Sequence, residues 1–125
     1  MNEEVAHVNP QDNTDRHEAL SSNSFHVLLA LQHDPLHGYA IMKRVEETSG
    51  ASVGPGAVYG TIQRLEEAGF IHVGRRREPA RGSHPRQEYE ISDAGLAILR
   101  AEARRLADLT RLVAQRNLLT DGEEP

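Results

Sequence analysis

Gly54-Pro55-Gly56-Ala57-Val58-Tyr59-Gly60-Thr61-Ile62-Gln63-Arg64-Leu65-Glu66-Glu67-Ala68-Gly69-Phe70-Ile71 reads as a helix that stops at a glycine and turns into a strand. Proline suits the first helical turn, where its missing amide would have had no partner anyway. Val58, Ile62 and Leu65 recur at i, i+4 and i+7 and define a buried face. The outward arc holds Gly56, Gly60, Gln63, Arg64 and Glu67, with Tyr59 on its flank. Three consecutive arginines follow, Arg75-Arg76-Arg77, then a turn-rich segment around Arg81-Gly82-Ser83-His84-Pro85 and a returning strand from Gln87 to Ile91. Ile71 and Val73 share one face of the first strand, Tyr89 and Ile91 one face of the second. A helix followed by a hairpin with a basic arm and tip predicts a winged-helix layout. In that layout the helix enters a DNA groove and the hairpin touches the flanking phosphates.

Upstream, a first helix is expected from Ser22 or Ser24 to about His33, with Phe25, Leu28 and Leu29 on one face. Asp34-Pro35 stops it, because proline disfavours helical backbone in the residue before it. A second helix runs from about His37 to Ser49 with Ile41, Met42 and Val45 as its inward stripe, and Gly50 stands in the usual stop position. Residues 51–54 form a short turn. Tyr39 and Tyr89 are expected in the core.

Downstream, Ser92 caps a last helix, Asp93 favours the positive end of its dipole, and apolar periodicity carries it to Leu118. Leu96, Leu99, Ala103, Leu106, Thr110 and Val113 repeat at spacings of three and four, and Ile98, Leu109 and Leu112 widen the stripe. About 25 helical residues span nearly 40 Å, longer than a small three-helix core requires. The overhanging stripe predicts a homodimer in which the same helix of a second copy covers it; the alternative is a helix folded back on its own domain. The expected fold class is therefore mostly α with a small β-hairpin: a winged helix-turn-helix over 21–92, a dimerisation helix over 93–118, a flexible acidic arm over 1–20 and an acidic tail over 119–125.

Composition limits what such a chain can do. At 125 residues it supports one domain. It has no cysteine, which removes disulfides, thiolate metal sites and thiol catalysis. No apolar run reaches the roughly 18 residues of a membrane span and the N-terminus is acidic, so a soluble, cytoplasmic protein with no membrane partner is expected. The net charge of −5 is uneven. Residues 1–20 carry −4 and residues 117–125 carry −3, whereas residues 71–86 carry +4 from five arginines against Glu78. The hairpin is thus the positive patch that can draw a phosphate backbone, although a run of arginines can also be a solvated strand edge.

Candidate chemistry beyond this is sparse. His33 and His37 are four apart, but Pro35 between them breaks the helix a metal pair needs, so no metal or cofactor is expected. His37 is expected to pack or cap at the start of the second helix. No nucleophile elbow, phosphate loop or zinc-protease motif is present, and a non-enzymatic function follows. A winged helix serving only as a protein-interaction module is the rival reading; it would not need a +4 hairpin.

Leu36-His37-Gly38-Tyr39-Ala40-Ile41, the helix from Pro55 to Ile71, and Tyr89-Glu90-Ile91-Ser92-Asp93-Ala94-Gly95 together resemble the PadR family of bacterial transcriptional regulators. The resemblance covers roughly residues 24 to 115. It implies a winged helix-turn-helix repressor of double-stranded DNA, dimerised through its C-terminal helix, of the shorter subfamily. It further implies that Tyr59 directs its phenol to a phosphate or base edge from the start of the third helix; Gly56, Ala57 and Gly60 beside it are expected to contact DNA as part of the same surface. Thr61, Gln63 and Arg64 would sit in or beside the major groove, Gln63 suited to adenine and Arg64 to guanine or a phosphate. Lys43 and Arg44 would clamp the backbone, and Arg75, Arg76, Arg77, Arg81, Ser83 and His84 would supply wing contacts. The bland reading of Arg64 is an ion pair with Glu67. Gly60 replaces a proline common in the family, and its helix cost implies a close backbone approach, as to a phosphate. Drug-binding members stack planar ligands on a tryptophan of the last helix; this chain has none, which leaves any small-molecule effector unassigned.

Overall fold

A computed structural model of the protein describes residues 20–50, 53–77 and 86–120. The expected acidic arm (all but Leu20), residues 51–52 of the short turn, the hairpin tip and the end of the acidic tail lie outside the described residues. In chain order the elements are α1 (Ser22–Ala30), β1 (Leu36–His37), α2 (Gly38–Ser49), α3 (Pro55–Glu67), β2 (Ile71–Arg77), β3 (Arg86–Ile91) and α4 (Asp93–Gln115). The fold is mostly helical with one small antiparallel sheet of order β1-β3-β2.

Side-chain caps set three helix starts. Ser21, not Ser22 or Ser24, caps α1, its hydroxyl accepting from the Ser24 amide at 3.1 Å. His37 caps α2 through Nδ1, which accepts from the Ala40 amide at 3.3 Å. Ser92 caps α4 by accepting from the Gly95 amide at 3.0 Å, with Asp93 in the first turn as expected. α1 ends three residues before the expected His33, because its last turn tightens: the Leu31 and Gln32 amides donate to the Leu28 and Leu29 carbonyls, both at 3.2 Å. Gly50 closes α2 at φ 71°, a left-handed conformation that favours glycine.

β1 was not legible in the sequence. Its two residues pair with β3, Leu36 opposite Tyr89 and His37 opposite Glu88, and tie the sheet to the start of α2. In the hairpin Ile71 pairs with Ile91 and Val73 with Tyr89, as the shared faces required. The register then shifts between Val73 and Arg75. A Cβ built on Gly74, inside this bulge, would lie 2.2 Å from Glu90 Cδ, so the bulge brings the backbone against that side chain.

The core is built from Val27, Leu28 and Leu31, from Ile41, Met42 and Val45, from Val58, Ile62 and Leu65, and from Ile71 and Leu99. Leu20 packs against it and so belongs with the domain, not with the expected arm. α4 is anchored at the corner between α3 and β2. The Ser92 hydroxyl donates to the Gly69 carbonyl at 2.7 Å, and the Ser92 amide to the Phe70 carbonyl at 3.0 Å. Gly95 completes the joint: a Cβ there would stand 2.1 Å from the Phe70 carbonyl oxygen, which leaves no room for a side chain.

This anchoring corrects part of the expected dimer seam. Leu99 is buried in the protein's own core, and Leu96 and Ile98 pack against it, because the first turns of α4 contact α1 and β3. Farther along, Leu106 and Val113 are half-buried, Ala103 and Thr110 are exposed, and Leu109 and Leu112 are 41% and 40% exposed. α4 ends at Gln115, three residues before the expected Leu118, and Asn117 takes a left-handed φ of 61°.

Candidate nucleic-acid interface

α3 presents one apolar and one open face. Val58, Ile62 and Leu65 point into the core, while Gly56, Ala57, Tyr59, Gln63, Arg64 and Glu67 are exposed and Gly60 is half-exposed. Its amino end differs from the other three described helices. Gly54 supplies no side-chain cap, whereas Ser21, His37 and Ser92 cap the others. Open space surrounds Gly54 and Gly56. The positive end of the helix dipole therefore faces outward and favours an anion through its field rather than through a cradle of amides, since Pro55 has no N–H and the Ala57 amide donates to the Gly54 carbonyl at 3.1 Å.

Tyr59 stands at this end. Its ring lies against the start of α2, with Cε1 2.7 Å from where a Cβ on Gly38 would be. The side chain remains 43% exposed, so it is both packed on its inner edge and open on its outer one. Tyr89, packed against the core, has its hydroxyl held above the ordinary tyrosine range by burial first, then by the Glu66 carboxylate and Tyr59.

Thr61 departs from the implied groove position. Its side chain is fully buried, the hydroxyl donating to the Ala57 carbonyl at 2.9 Å and accepting from Arg64 Nη2 at 3.1 Å. The spacing contained this: Thr61 lies three residues after Val58 and four before Leu65, on the apolar stripe. Arg64 is exposed, and among the described residues it forms this hydrogen bond rather than an ion pair with Glu67.

On α2, Lys43 is exposed, 3.8 Å from Glu46, with Nζ 6.0 Å from the Tyr39 ring centre. Arg44 is half-buried. Tyr39, expected in the core, is 56% exposed instead. It lies far round the helix from Ile41 but only three residues before Met42, at the edge of the inward stripe, where its ring turns to solvent and to Lys43.

Arg75, Arg76 and Arg77 lie on β2 opposite Glu88, Gln87 and Arg86 of β3. Arg81, Ser83 and His84 fall outside the described residues. His37 serves as a helix cap, and no cluster of metal-ligating side chains occurs among the described residues. No described helix is long and apolar enough to cross a membrane.

Residues 27–101 match the sequence model of the transcriptional regulator PadR-like family, more than half of the chain. The chain belongs to the PadR-like family. The protein also resembles solved PadR structures: a PadR family transcription regulator from hypervirulent Clostridium difficile R20291 (TM-score 0.68, 19% identity, 76% of this chain and 97% of that one). Bacillus subtilis PadR, whose structure is in complex with operator DNA, matches with a TM-score of 0.53 at 20% identity over 82% of this chain and 50% of that one. At such identities the likeness establishes the shared winged-helix fold. A curated relative, an uncharacterized 37.1 kDa protein in transposon TN4556 of Streptomyces fradiae, is 36% identical over 84 residues. The match takes in 67% of this PadR-like chain but only 23% of that relative.

Proposed function

We propose that this PadR-like regulator is a dimeric, sequence-specific repressor that binds an inverted-repeat operator. α3 enters the major groove and the arginine-bearing β2–β3 arm rests on the phosphate backbone. The observation that carries this reading is the open face of α3, where an uncapped amino end, Tyr59, Gln63 and Arg64 stand together on one surface. Gln63 has the donor–acceptor pair that matches adenine, and the Arg64 fork matches guanine. The operator-bound Bacillus subtilis PadR supports the same role for this fold.

The exposed stripe of α4 supports the dimer. Leu106, Leu109, Leu112 and Val113 form a stripe that nothing in the described chain covers fully. Thr110 suits such a seam, because its hydroxyl already donates to the Leu106 carbonyl at 2.8 Å. Each large apolar side chain fully buried there contributes about 1.5–3 kcal/mol.

Salt dependence tests the wing. Replacing Arg75 and Arg76 by alanine removes two phosphate contacts and lowers the slope of log K against log salt by about 1.8, alike for all sequences. An unchanged slope makes these arginines a solvated strand edge.

A further inference from the structure

We infer that Thr61 is a positioning residue: its buried hydroxyl latches the Arg64 guanidinium and so sets the base preference that Arg64 confers. The inference rests on the reading that α3 enters the major groove. Three observations place the latch. Thr61 is fully buried, so its hydroxyl has no water to turn toward. The hydroxyl hydrogen is committed to the Ala57 carbonyl at 2.9 Å. A hydroxyl has one hydrogen and two lone pairs, and with the hydrogen fixed a lone pair is aimed at Arg64 Nη2, 3.1 Å away.

The second nitrogen of the fork lies beside Gly60. Arg64 Nη1 lies 3.5 Å from the point a Gly60 Cβ would occupy, so the guanidinium lies back along α3 toward its amino end. Helical side chains lean in that direction by default. Only one of the five guanidinium donors is spent on Thr61. The remaining donors of an exposed side chain are left in a fixed plane, which suits the two parallel bonds of guanine recognition. An unlatched arginine would have to order its rotors on binding, and could swing to Glu67 or to a phosphate instead.

The test uses the full chain and two probes: the duplex it enriches most from a random-sequence DNA pool, and a random duplex of equal length. Thr61→Val keeps the β-branched shape and removes the hydroxyl. It is expected to lower discrimination between the two duplexes roughly three- to tenfold, about the loss of one hydrogen bond, with random-duplex affinity unchanged. A repeated selection relaxes at the same base position as Arg64→Ala, while Thr61→Ser retains the preference. If Thr61→Val folds poorly, Thr61→Ser and Thr61→Ala separate the packing contribution from the hydroxyl. Arg64→Ala losing discrimination while Thr61→Val keeps it overturns the latch and leaves the α3 reading intact. Arg64→Ala leaving discrimination unchanged overturns the latch and the base contact of Arg64, while loss of discrimination in neither Arg64→Ala nor Gln63→Ala overturns the α3 reading itself.

Discussion

The ring of Tyr59 occupies the space that a side chain on Gly38 would need, with Cε1 2.7 Å from an ideal Gly38 Cβ. Gly38 is the first residue of α2 and Tyr59 lies in the second turn of α3. The pair therefore fixes how the two helices of the helix-turn-helix meet at the surface proposed to face DNA. The Leu36-His37-Gly38 segment gains a physical meaning at each position: strand pairing, helix cap, and room for an aromatic ring.

Gly38→Ala is accordingly expected to displace the Tyr59 ring. Because that ring is partly exposed it can yield, so the stability loss should be small, near the lower end of the roughly 1–3 kcal/mol typical of overpacking. Operator affinity should fall by more than stability does. In a Tyr59→Ala background the same change should cost little, a non-additivity readable in paired thermal melts and binding isotherms. Full additivity would separate the two residues.

Gly60→Ala should act in opposite senses on folding and on binding. A Cβ there meets nothing nearer than Arg64 Nη1 at 3.5 Å, an ordinary contact. Replacing a mid-helix glycine should stabilise the free protein by up to about 1 kcal/mol. If the glycine serves a close backbone approach to a phosphate, DNA affinity falls even as the melting temperature rises. Unchanged or tighter binding by the stabilised variant assigns the glycine no role in approach.

Leu99 and Leu109 should separate folding from assembly. Leu99→Glu places a charge in the protein's own core and is expected to unfold the domain. Leu109 is 41% exposed in the single chain, so Leu109→Glu should keep the fold by circular dichroism yet give monomers in light scattering. A Leu109→Glu protein that remains a dimer would move the seam off the distal half of α4.

Much of the fold was legible because local rules governed it. Ser92 capped α4, His37 capped α2, Gly50 and Gly69 took positive φ, and Val58, Ile62 and Leu65 faced inward. What escaped depended on distant partners. The two-residue β1 has no periodicity to read and exists only through pairing with β3. The shift in hairpin register at Gly74 is a relation between two strands. An apolar stripe on α4 does not say which partner covers it, and Leu99 is covered within its own chain while Leu109 is not. Thr61 is different: its helical phase, three after Val58 and four before Leu65, puts it inside whatever its polarity suggests, whereas Tyr39 sits at the edge of a stripe, where neighbours decide burial.

Sequence-specific binding through α3 is tested most directly by selecting bound duplexes from a random-sequence DNA pool with the full wild-type chain and footprinting the enriched sequence. A dimeric repressor of this build enriches an inverted repeat whose half-sites are centred about one helical turn, roughly 34 Å, apart. Major-groove protection should fall at each half-site and backbone protection on its flanks. Retention of DNA without sequence enrichment, or no retention at all, would contradict sequence-specific binding through α3.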